Sequence, residues 1–142
     1  MRPILPPALP PFSKLASSGV QVSICYNPAM EKPDQIRQEL QENLDRILEA
    51  LRAHYHPEEV IVFGSLASGN ISENSDIDLL IVKDTDKRFW DRIREVISIC
   101  DYDVGVDFLV YTPDELAEAA KNNPFVRDEI LLKGKVIYRA AA

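Results

Sequence analysis

From Asp34 to about His54 the apolar residues Ile36, Leu40, Leu44, Ile47, Leu48 and Leu51 recur at three- and four-residue steps, with Arg, Glu and Gln between them. This is the period of an α-helix, so the segment is predicted to be amphipathic with one core face. Glu59 to Phe63 is a short β-branched run ended by Gly64-Ser65, and Asp76 to Val82 is a second such run. Both read as strands, the second largely buried. Phe89, Trp90, Ile93, Val96, Ile97 and Cys100 trace another helical face, on which Trp90 is expected to pack in a core or an interface, and Val104 to Tyr111 returns to a strand. Thr112-Pro113-Asp114-Glu115 supplies an N-cap, a proline at the first helical position and a capping-box glutamate for a helix through about Lys121. Asn123-Pro124 repeats that start signal, Gly134 supplies a stop, and Lys135 to Arg139 reads as a final strand.

These elements predict a small mixed β-sheet with helices packed on it, in the α/β or α+β class. The chain is 142 residues long, which excludes a second sizeable domain. Five of the ten prolines fall within the first eleven residues, which cannot be helical, and Val20 to Tyr26 alternates like an added edge strand. Residues 1–29 are therefore expected to be a dispensable extension and residues 30–142 the folded domain. The net charge of −7 disfavours a protein that grips nucleic acid, and fits a small-molecule substrate or a basic protein partner. Cys25 and Cys100 are too few for a disulfide framework and read as inert thiols. No apolar run approaches the length of a membrane span, and the early prolines break any signal-peptide core, so the expected compartment is the cytoplasm.

The chemistry concentrates between Gly64 and Val82. Asp76 and Asp78 are two apart on a predicted strand, so their side chains leave the same face, with Cα atoms ~6.6 Å apart. Two carboxylates at the head of an apolar strand repel each other, and a hard divalent cation such as Mg²⁺ would offset that cost. Gly64 lets backbone N–H groups approach an anion, and the Ser65 hydroxyl can donate to a phosphate oxygen. A short helix after Ser65 would aim its positive end at the same phosphates. A third carboxylate would complete a two-metal site. Asp107, inside the apolar run Val106 to Val110, is the preferred candidate, and Asp103 at the frayed strand start is the alternative. Asp107 would bridge a metal and accept the proton of an attacking hydroxyl. His54 and His56 stand at a helix end before Pro57 and are read as solvated or as dipole partners, not as ligands.

Gly64-Ser65, the ten residues Leu66 to Ser75, and Asp76-Ile77-Asp78 match without a gap the Gly-Ser, ten residues, Asp-x-Asp signature of the minimal nucleotidyltransferases. Over residues 34–139 the chain thus resembles these members of the DNA polymerase beta superfamily, and Asp107 falls where their third carboxylate lies. The resemblance implies a polymerase-beta-like fold, with Gly64 and Ser65 contacting a nucleoside triphosphate and Asp76, Asp78 and Asp107 holding Mg²⁺, as two ions. It further implies transfer of AMP from ATP to a protein hydroxyl, a tyrosine of a HEPN-domain toxin, so that the protein acts as an antitoxin. The other reading is a binding module that neutralises such a toxin by contact alone. Many relatives carry arginine in the turn after Gly-Ser, where this chain has Leu66 and Ser68; Lys83, Lys87 and Arg88 are the candidate replacements. A polymerase is disfavoured, because the chain has no room for thumb or finger domains. Homo- or hetero-oligomers are both open.

Overall fold

The computed structural model describes residues 32–141; the extension and its expected edge strand lie outside these residues. Helix α1 spans Lys32–Ala50 and ends in a wider, π-type turn over Leu51–Tyr55. Leu40, Leu44, Ile47, Leu51 and Tyr55 form its buried stripe, and His56, in the left-handed region at φ 57°, closes it by donating its N–H to the Leu51 carbonyl. There follow β1 (Glu59–Phe63), a one-turn helix α2 (Ser65–Ser68), β2 (Ile77–Val82), α3 (Phe89–Ile99), β3 (Val106–Tyr111) and α4 (Pro113–Asn122). A π-type helical segment over Phe125–Leu132 and β4 (Lys135–Arg139) complete the described chain.

The sheet order is β3-β2-β1-β4. β1 runs antiparallel to β2 and β4, whereas β2 and β3 are parallel, joined by the α3 crossover. Strand alternation divides the core in two. Val60, Val62, Ile77, Leu79, Ile81, Val106, Phe108 and Val110 share one cluster with the α1 stripe and with Ile93 and Val96 of α3. Ile61, Phe63, Leu80 and Leu109 pack on the other side with Val126 and Ile130. With helices on both faces, every residue of β2 is buried, which explains its unbroken apolar sequence after Asp78.

The capping box of α4 forms as expected: Glu115 donates its N–H to Thr112 Oγ1, and Thr112 donates its own to Glu115 Oε1. The same Glu115 carboxylate receives Arg92, a buried arginine of α3 that also donates to the carbonyls of Lys87 and Val110. Trp90 is not in the core, the first of its two expected places. It is 49% exposed and stacks edge-on against Phe89, because Phe89, Ile93 and Val96 make the inward stripe and Trp90 stands one position around the helix. Among the described residues no helix is long and apolar enough to cross a membrane.

Candidate functional site

β2 places Asp78 directly opposite Phe63 of β1 on one side and Asp107 of β3 on the other. All three side chains therefore leave the face that carries Leu80 and Leu109, at the end of the sheet where β1 stops and β2 and β3 start. Asp76 continues the two-residue alternation on that face, and Gly105 precedes Asp107 in the same way on the neighbouring strand. The amide of Ile77 donates to the Gly105 carbonyl at 3.0 Å, which carries the parallel pairing one step beyond the regular strands. Asp78 is 6% exposed, Asp107 half-buried and Asp76 exposed.

Two glycines make room for these carboxylates. At Gly64 (φ 75°, ψ −150°) a Cβ would overlap Asp78 Oδ2, and at Gly105 a Cβ would overlap Asp76 Oδ1. Each carboxylate thus lies in a notch that any other residue would fill. Gly105 was not singled out from the sequence; its one signal is a glycine interrupting the apolar run two residues before Asp107. Among the described residues no group of three or more His, Cys, Asp or Glu side chains is drawn close enough to hold a metal ion. What the backbone supplies is a patch of oxygen donors on one face, the donor chemistry that suits a hard cation such as Mg²⁺.

Gly64 also carries α2, since its carbonyl accepts from the amides of Ala67 and Ser68 at 3.1 and 3.0 Å. Ser65, half-buried, opens that single turn, and Gly69 (φ 89°) closes it by donating its N–H to the Ser65 carbonyl at 2.9 Å. So short a helix contributes little dipole.

Asp103 belongs to a different arrangement. Arg46 lies 3.4 Å from its carboxylate, and its amide donates to Asn43 Oδ1, which ties α1 to the start of β3. His54 and His56 lie in and just after the turn that closes α1, next to Lys83 at the opposite end of β2.

The cations proposed to replace the missing arginine do not reach the site. Lys83 follows the far end of β2, five residues and roughly 17 Å along the strand from Asp78, and its Nζ donates to the carbonyls of Tyr55 and His56. Lys87 pairs with Glu95 at 3.1 Å and Arg88 with Asp91 at 3.2 Å, in the same region. The cation that does stand beside the turn comes from α1: Arg37 Nη2 donates to the Gly69 carbonyl at 3.2 Å. An open hollow of about 610 Å³, lined by Glu58, Leu116, Leu131 and Arg139 among others, is also at the end of the sheet remote from Asp78.

The polymerase beta nucleotidyltransferase profile matches residues 45–141, which include Gly64, Ser65, Asp76, Asp78 and Asp107. The chain belongs to that family. This nucleotidyltransferase is 33% identical over 102 residues to a protein of Methanocaldococcus jannaschii named "Putative protein adenylyltransferase", an alignment covering 67% of this chain and 94% of the relative. Its fold matches that of a crystal structure titled as a "putative nucleotidyltransferase" from Sulfolobus solfataricus, with a TM-score of 0.57 and 20% identity over 78% of this chain and 89% of that one. The minimal nucleotidyltransferase fold expected from the sequence is thus present, as a four-stranded mixed sheet carrying helices on both faces.

Proposed function

We propose that this enzyme moves AMP from ATP onto a protein hydroxyl, that the acceptor is a tyrosine of a HEPN-domain toxin, and that it thereby acts as a cytoplasmic antitoxin. The observation that carries the reading is the register that sets Asp78 beside Asp107, with Asp76 on the same face and Gly64-Ser65 at its edge. The name of the Methanocaldococcus relative supports protein adenylylation as the class of reaction. The domain that performs it is taken as residues 30–142, with residues 1–29 dispensable.

In this reading Gly64 lets the triphosphate approach the backbone, and the Ser65 hydroxyl donates to one of its oxygens. Asp76, Asp78 and Asp107 would hold Mg²⁺, which when bound supplies positive charge to the phosphoryl oxygens and the leaving group. Asp107 accepts the proton of the attacking hydroxyl. The acceptor oxygen forms its bond to the α-phosphorus as the bond from that phosphorus to the β-bridging oxygen breaks, and pyrophosphate leaves in line.

A contact-only antitoxin is the second reading, favoured by the separation of the carboxylates into the Gly64 and Gly105 notches. Intact-mass analysis separates the two after incubation with ATP, Mg²⁺ and the product of an adjacent HEPN-type gene. Whole AMP units gained by the partner, and lost with Asp76→Ala or Asp78→Ala, establish transfer. A silenced partner of unchanged mass, bound equally well by both variants, establishes contact inhibition.

A further inference from the structure

A triphosphate brought to Asp76, Asp78 and Asp107 adds anionic charge to a patch that is already anionic. The single turn Ser65–Ser68 offers little dipole and no cationic side chain, and Lys83, Lys87 and Arg88 are held at the other end of the sheet. The N-terminal half of α1, which precedes the stretch matched by the family profile, crosses the loop that follows this turn. Two of its cations touch that loop. Lys32 is taken up by Glu73 at 3.0 Å, whereas Arg37 reaches the backbone carbonyl of Gly69. Since the Gly69 amide is bonded to the Ser65 carbonyl, the guanidinium contacts the turn one helical step from Ser65. A Cβ at Gly69 would lie 3.9 Å from Arg37 Nη2, an ordinary contact, so the guanidinium stands directly beside this residue.

Building on the reading of Gly64-Ser65 as a nucleotide site, we infer that Arg37 is the polyphosphate-binding cation of this enzyme, delivered from α1 instead of from the turn itself. A guanidinium carries five N–H donors in a planar fork suited to phosphate oxygens, and the Gly69 carbonyl takes one of them. The side chain is exposed and its one carbonyl contact is weak in water, so exchanging that carbonyl for phosphate oxygens costs little. A triphosphate is long enough to span the single turn from Ser65 to Gly69.

The test is equilibrium binding of a non-hydrolysable ATP analogue and of AMP, each with Mg²⁺, to the full-length wild type and to Arg37→Ala, Arg37→Gln and Arg37→Lys. Arg37→Gln keeps a donor for the Gly69 carbonyl while removing the charge. The inference expects Arg37→Ala and Arg37→Gln to bind the analogue about tenfold more weakly, as for loss of a charged hydrogen bond. AMP binding should hardly change, and Arg37→Lys should recover part of the loss. Unchanged analogue affinity in Arg37→Ala overturns it. So does an equal loss for AMP and analogue that Arg37→Gln repairs, which would mark Arg37 as a structural cap of the turn. If the wild type binds neither ligand, the nucleotide site itself is overturned, an outcome distinct from both.

Discussion

The carboxylate of Asp78 occupies the space that a side chain on Gly64 would need. Gly64 also has φ 75°, so two independent constraints meet at one residue. Gly64→Ala should cost about 1–3 kcal/mol from backbone strain alone and should also displace Asp78 and remove transfer. Gly69, at φ 89° but with no carboxylate near the position of a Cβ, gives the comparison: Gly69→Ala should cost about 1–2 kcal/mol, leave Asp78 in place and reduce transfer less than Gly64→Ala does. Urea unfolding and a transfer assay on both variants would show whether the overlap or the strain governs.

Asp78 and Asp107 face each other across a parallel strand pair, where like charges are destabilising. Without divalent metal, Asp78→Asn should melt at the same temperature as the wild type or higher, while transfer is lost. Mg²⁺ should raise the melting temperature of the wild type and not that of the variant. For Asp107→Asn the loss in kcat should be about 10²-fold or more if it accepts the hydroxyl proton. Calorimetry with and without EDTA reads the first effect, and single-turnover transfer the second.

The acid limb of stability should depend on Glu115. Hydrogen bonds from the Arg92 guanidinium, aided by the Thr112 amide, hold its carboxyl below the ordinary carboxylate range. Because the folded value is the lower one, the stabilisation is complete above the ordinary carboxylate pKa of about 4.3. It disappears as pH falls through the depressed value. Thermal melts of Glu115→Gln between about pH 3 and pH 7 should therefore show a flatter acid limb than the wild type, with the gap between the two closing at the acid end.

Burial pushes the Cys100 thiol up to about 12. In a Cys25→Ala background, alkylation by iodoacetamide at about pH 8 should be at least about 10²-fold slower in the native protein than in urea. Comparable rates in the two states would mean that the α3 end opens readily.

Local patterns were read from the sequence almost to the residue. Glu59–Phe63 and Lys135–Arg139 are strands with the expected bounds, and the Thr112 capping box starts α4. Such features depend on neighbours a few positions apart. The sheet order and the parallel pairing of β2 with β3 depend on contacts between distant segments, and only the mixed character of the sheet was anticipated. The same limit applies within the site region. The Gly64 to Asp78 segment is contiguous and legible, whereas Gly105 meets Asp76 from a separate strand and Arg37 meets Gly69 from a helix 32 residues upstream. The core alternative for Trp90 was missed for another reason: a three-residue step fits a helical stripe as well as a four-residue step does, and Phe89 took the inward position.

The parallel ladder between β2 and β3 has a consequence for how this site can change over evolutionary time. Asp78 and Asp107 hold their separation through the peptide pleat, so substitutions in the core beneath them cannot adjust it gradually. A slip of β3 by one residue would bring Val106 or Phe108 opposite Asp78 and send Asp107 to the α1 side of the sheet. The spacing of the carboxylates is therefore quantised: it survives intact or is lost in one step.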